Sequence, residues 1–173
     1  MTRLSNSALR AISNPADSLA LFVDLSYVLS GFTRVELWGT GMVQTYYNEV
    51  NLIIGAREMG KLLGVSRVII PQSGNVTKAI EKVVEKEILQ DSRYGPVARN
   101  IIRLWYLGAW DQLPRTWRNI YGATSFDTDH IVSAEAYQES LVWIAGETHP
   151  MGAKQQGFGT WALPGPDSHG GVK

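Results

Sequence analysis

Ile101-Ile102-Arg103-Leu104-Trp105-Tyr106-Leu107-Gly108-Ala109-Trp110 decides the fold class of this chain. Wound as a helix, the run is apolar nearly all round, broken only by Arg103. A helix without a polar face is buried on every side. Three large aromatic residues fall within the six positions 105–110, more than a small helical core ordinarily holds. Pro96 marks the start of this helix after the turn Tyr94-Gly95-Pro96.

Working outward, other segments carry the same helical period. Asn14 caps a first helix, with Pro15 at its first position and Asp17 in its first turn. Leu19, Phe22, Val23, Ser26 and Leu29 form its stripe, and Gly31 stops it. Thr33 caps a second helix, whose stripe is Val35, Trp38, Met42, Tyr46 and Val50, with Gly39 and Gly41 as weak points at about 1 kcal/mol each against alanine. A shorter helix covers Leu52 to Leu63 and ends near Gly64. Val65 to Pro71 is β-branched and reads as an extended connector. Asn75 or Thr77 opens a helix to about Gln90, with Val76, Ile80, Val83, Val84 and Ile88 inward and Glu81, Lys82, Glu85 and Lys86 outward. Asp111 to Tyr121 is a loop with one helical turn, and Gly122 to Ile131 is irregular. Ser133 caps a last helix carrying Ala136, Tyr137, Ser140, Leu141, Trp143 and Ile144. The expectation is an all-α fold: residues 1–13 as a flexible N-terminal segment, 14–146 as one helical domain of five or six helices, and 147–173 as an extended partner-binding tail rich in Gly and Pro.

Composition narrows the function. The formal net charge is zero, which leaves no electrostatic footprint for nucleic acid. No apolar run approaches the roughly twenty residues of a membrane span. There is no cysteine, which excludes disulfides, thiolate catalysis and Cys-held clusters. His130, His149 and His169 lack the spacing of a zinc helix. Gly39-Thr40-Gly41 lacks the third glycine and the preceding strand of a dinucleotide loop. The first ten residues carry no hydrophobic core behind their arginines, so they read as lacking a secretory or twin-arginine signal. Asp127-Thr128-Asp129-His130 is the most chemical-looking cluster. It reads first as a turn before the last helix and second as the site of a stand-alone helical enzyme or ligand-binding domain. Asp24, on an apolar helix, is either partly buried or turned to water.

The aromatic residues divide. Trp105 and Trp143 lie on buried faces and read first as core. Phe158 and Trp161 sit among glycines and prolines that offer them no cover, and read as interface anchors.

Four motifs in order resemble a known family. They are Leu25-Ser26-Tyr27-Val28-Leu29-Ser30-Gly31-Phe32, Ile102-Arg103-Leu104-Trp105-Tyr106-Leu107-Gly108, Tyr137-Gln138-Glu139-Ser140-Leu141-Val142-Trp143 and Gly159-Thr160-Trp161-Ala162-Leu163-Pro164. The pattern, from about Leu19 to Pro166, is similar to the small (gamma) subunit of bacterial membrane-associated FAD-dependent sugar and polyol dehydrogenases, the sorbitol, fructose, glucose and gluconate type. The resemblance implies a noncatalytic accessory subunit with no cofactor, metal or catalytic residue of its own. It implies a large subunit of the glucose–methanol–choline class that holds FAD and oxidises a hydroxyl, and in many members a multihaem cytochrome c subunit beside it. The small subunit supports folding, stability and export of the large one. The partner-binding set it suggests here is Trp105, Tyr106, Gly108, Trp143, Phe158, Trp161 and Pro164. It implies the periplasmic side of the bacterial inner membrane, whereas the unsignalled N-terminus leaves the cytoplasm open. A protein that assists folding and then leaves its client shares these features.

Overall fold

The computed structural model describes residues 15–71, 77–148 and 150. The fold is mostly helical, as the sequence predicts. Helix α1 (Pro15–Ser30) ends where Gly31 takes φ +78°. Helix α2 (Arg34–Gly39) opens on a capping box in which Thr33 and Glu36 satisfy each other's backbone donors. Helix α3 spans Val43–Ile69, with non-helical backbone at Gly55. Helix α4 (Lys78–Val84), capped by Thr77, runs into one π-turn, Glu85–Leu89. Helix α5 is Gly95–Leu107. Strand β1 (Ala109–Trp110), helix α6 (Arg115–Tyr121), strand β2 (His130–Ile131) and the short helices α7 (Ala134–Gln138) and α8 (Val142–Ala145) complete the described chain. Strands β1 and β2 pair antiparallel, Ala109 opposite Ile131 and Trp110 opposite His130.

Helix α1 touches both α3 and α5, and α2 folds back against it. Phe22 and Leu25 of α1, Tyr46, Val50 and Ile53 of α3 and Ile101, Leu104 and Trp105 of α5 are all fully buried in a shared core. The Trp105 ring lies 4.9 Å from Tyr46, edge to face, and 6.5 Å from Phe22, stacked. This burial is the main stabilising term of the fold.

Five expectations are corrected. The decisive run stops being helical at Leu107: Gly108 adopts φ +64° as a left-handed cap, and Ala109–Trp110 leaves as a strand. Nor is that helix covered all round, since Leu107 is 40% exposed and Arg103 pairs with Asp111 at its surface. The second expected helix is two. Gly41 at φ +71° separates α2 from α3, so Val35 and Trp38 fall outside the buried stripe of Met42, Tyr46 and Val50. Gly64 does not end α3. Helix continues through the β-branched run to Ile69, because Ser66 and Ile70 are buried there and tertiary packing outweighs local preference. The last expected helix is likewise split into α7 and α8. The calls on residues 1–14 lie outside the described residues, as do nearly all those on the tail.

Glu58 and Arg93 hold the far end of the bundle together. Arg93 Nε and Nη2 donate to the two Glu58 carboxylate oxygens at 2.6 and 2.8 Å, and Lys61 Nζ adds a bond at 2.9 Å. The same guanidinium lies 4.8 Å over the Tyr121 ring, and the Arg93 carbonyl accepts from Trp117 Nε1 at 2.6 Å. One fork therefore ties α3 to the α4–α5 turn and to α6. The Arg93 hydrogen bonds lower the Glu58 carboxyl below its ordinary 4.5, against the opposing effect of burial. A lowered folded-state pKa means that the unfolded chain binds the proton more readily. The stabilisation is thus complete above the unfolded value of about 4.3 and is lost as pH falls through the lower folded value. Glu58→Gln is expected to cost about 2 kcal/mol at pH 7. In urea titrations the gap from the unaltered chain should narrow as pH falls below the unfolded value; a gap of constant size through the acid range would deny the carboxylate this role.

Candidate partner interface

The chemical-looking segment 127–130 is built into the fold. Asp127 is buried, and its Oδ1 accepts from Trp110 Nε1 at 3.0 Å and from Leu113 N at 3.0 Å. Arg118 stands 3.7 Å from its other oxygen. Gln112 donates from Nε2 to the Asp127 carbonyl at 2.8 Å and from its backbone to Asp129 Oδ1 at 2.6 Å. Both ring nitrogens of His130 are engaged, Nδ1 with Thr128 O at 2.7 Å and Nε2 with Glu49 Oε1 at 2.9 Å. The segment therefore closes the connection between β1 and β2 and pins it to α3. Its acceptors are spent on the chain's own donors, which is the turn reading of these residues. Among the described residues no group of three metal-ligating side chains comes together.

The motif residues separate by depth. Trp105 is completely buried and belongs to the chain's own core, so it offers no surface to a partner. Gly108 is also buried, backed against Ala136. Both leave the contact set as residues that shape the body from inside. Tyr106 is half-buried and donates from its hydroxyl to the Ser30 carbonyl at 2.8 Å, with its ring 5.8 Å from Phe32. Trp143 is half-buried, packs edge-on to Tyr137 at 5.2 Å and donates its indole N–H to the Tyr137 carbonyl at 2.8 Å. Phe158, Trp161 and Pro164 lie outside the described residues.

Three of the four motifs meet. Ser30 and Phe32 of the first touch Tyr106 of the second. Leu141 of the third donates its backbone N–H to the Trp105 carbonyl of the second at 2.9 Å. Segments far apart in sequence thus form one packed unit at the C-terminal end of α5. Inside it, Tyr46 Oη, Trp105 Nε1 and Ser26 Oγ are buried without a hydrogen-bond partner among the described residues. Burial, and then the Glu139 charge, push the Tyr46 hydroxyl pKa upward, so this phenol stays neutral.

The surface carries three hollows of note. One of about 470 Å³ lies between α1, α2 and the end of α3, lined by Asp17, Asp24, Arg34, Trp38 and Arg67 among others. Asp24 is resolved there as a buried carboxylate paired with Arg34, whose guanidinium also lies 4.5 Å over the Tyr27 ring. A second, of about 260 Å³, runs between α2 and α8, with Gly39, Thr40, Trp143, Ile144 and Pro150 on its walls. A third, of about 550 Å³, opens beside Glu49, Leu52 and Val132.

Sequence reasoning missed Trp38 as a surface residue, because it placed Trp38 in the buried stripe. The glycine pair at 39 and 41 was the available signal: a helix interrupted there changes phase, and residues on either side need not share a face. It also missed the Glu58–Arg93 fork and the Glu49–His130 contact, which join residues 35 and 81 positions apart. No local pattern encodes such pairs.

No family model, no curated protein and no solved structure matches the chain.

Proposed function

We propose that this chain is a noncatalytic accessory subunit. It binds, stabilises and helps to mature the large subunit of an FAD-dependent sugar or alcohol dehydrogenase of the glucose–methanol–choline class. The flavin and the substrate's hydroxyl chemistry belong to that partner, and a multihaem cytochrome c subunit is a second expected neighbour. The observation that supports the reading is the meeting of three of the four motifs in one packed unit. A second support is the structural use of Asp127, Asp129 and His130, which weakens the reading of that segment as a separate active site.

Purification of the full-length tagged chain from its native cell tests the proposal. The expected result is a stoichiometric flavoprotein partner, with yellow flavin bands and dye-linked oxidation of a sugar or alcohol. A colourless, stable monomer would overturn it. A flavoprotein that gains activity through this chain yet never remains bound would replace a permanent subunit by a departing folding aid.

A further inference from the structure

The hollow of about 470 Å³ between α1, α2 and the end of α3 has walls of opposite charge. Helix α1 supplies Asp17 and Asp24, two turns apart on one face. The other walls supply Arg34 and Trp38, one turn apart on α2, and Arg67 from the last turn of α3. Asp24 and Arg34 answer each other: Arg34 Nε donates to Asp24 Oδ1, and its Nη2 donates to the Pro71 carbonyl at 3.3 Å. Asp17 and Arg67 differ. Neither makes an ion pair or hydrogen bond among the described residues, and they do not pair with each other although both line the hollow.

Two further observations point to a ligand. The Asp24 side chain is only 10% exposed, yet its Oδ2 accepts no hydrogen bond among the described residues. A carboxylate so far from water needs donors for both oxygens, and the hollow that Asp24 lines is where the missing one can enter. The second is Trp38, whose half-exposed indole gives the same hollow a flat apolar wall on which a planar group can stack. The volume falls within the roughly 300–1,000 Å³ of small-molecule sites. A simple anion would meet the two carboxylates of α1, and a simple cation would meet Arg67. A ligand that carries both signs satisfies every wall.

We infer that this hollow binds a free α-amino acid with a flat side chain. Its ammonium donates to Asp17 and to Asp24 Oδ2, its carboxylate accepts from the Arg67 guanidinium, and its side chain lies on the Trp38 indole. Every contact is made by this chain alone, so the inference stands apart from the accessory-subunit reading.

Isothermal titration of the full chain with L-phenylalanine is the test, and saturable one-to-one binding is the expected result. Phenylacetate and phenethylamine each keep the ring and one charge. Both should bind at least about tenfold more weakly, the effect of losing one charged hydrogen-bonded contact. Arg67→Gln and Asp17→Asn should each weaken L-phenylalanine by a similar factor. Both side chains are exposed and unbonded among the described residues, so the folded body survives the change. Trp38→Ala should weaken it about five- to tenfold, the worth of an aromatic contact. Arg57→Gln, an exposed arginine of α3 outside the hollow, should stay within about twofold, since a distant charge is screened. Absence of saturable binding would overturn the site. Binding that Arg67→Gln and Asp17→Asn leave unchanged would overturn it equally. If either single-charge analogue binds as tightly as L-phenylalanine, one wall is idle and the amino-acid assignment is wrong.

Discussion

Trp105→Ala is expected to cost about 3–5 kcal/mol, the range for removing a large aromatic from a packed core. Small domains have about 5–15 kcal/mol in total, so the variant should sit near the edge of folding. The cost arises in two parts. The indole's apolar surface returns to water on unfolding for less gain, and the void left between Phe22 and Tyr46 loses its dispersion contacts. One feature of the site argues for the lower half of the range. Trp105 Nε1 is buried without an acceptor among the described residues, and deleting it relieves that penalty. Trp105→Phe separates the two effects, because it keeps an aromatic ring and drops the orphan N–H. It is expected to cost less than Trp105→Ala, because the phenyl ring leaves a smaller void. Urea unfolding of both variants is the measurement. A Trp105→Ala loss under 1 kcal/mol would mean that the central residue of the core is not holding it together.

The same residue shows how much of this protein is legible in its sequence. Burial of Trp105 follows from its place on an apolar helix, and nothing beyond the period of the sequence is needed to see it. Helix starts are equally local. Pro15, the Thr33–Glu36 box, Thr77 and Ser133 all open helices, because the donors they cap or free lie within one turn. Helix ends were harder. Gly64 has the look of a stop yet lies inside α3, whereas Gly41 and Gly55 interrupt helix with positive φ. Which glycine leaves the helical region depends on what packs against the next turn, and that is tertiary information. The strand at Ala109–Trp110 was invisible for the same reason. Its partner His130–Ile131 comes twenty residues later, and the pairing is fixed by Asp127 receiving the Trp110 indole N–H.

The candidate site was legible only in its interior. Tyr106 and Trp143 enter the partner-binding set through the family resemblance, and both are half-buried and hydrogen-bonded within the chain. They shape the surface near α8 more than they form it. Trp38 went the other way, from expected core to exposed ridge, because its phase on the helix was inferred across a break. A periodicity argument is only as good as the continuity of the element that carries it.

Gly108→Ala is the second change expected to be severe, at about 3 kcal/mol or more. Two costs combine there. The backbone at φ +64° is left-handed, which charges a residue with a Cβ about 1–2 kcal/mol. The added carbon would also lie 2.6 Å from both the carbonyl carbon and the oxygen of Ala136, so backbone and not a yielding side chain must move. Overpacking of that kind costs a further 1–3 kcal/mol or so. Movement of α7 away from α5 would strain two more bonds at the junction, Val132 N to the Gly108 carbonyl and Leu141 N to the Trp105 carbonyl, both 2.9 Å. Gly41→Ala provides the comparison. That glycine has φ +71° but open space around the position of a Cβ, so it should show the conformational cost alone. If the two variants unfold at the same urea concentration, the close approach of α7 to α5 does not matter to stability. The packed unit of the three motifs would then be held from elsewhere. If Gly108→Ala is the worse by 1 kcal/mol or more, the small residue is there to let the second and third motifs touch, and the groove beside Pro150 depends on that contact for its shape.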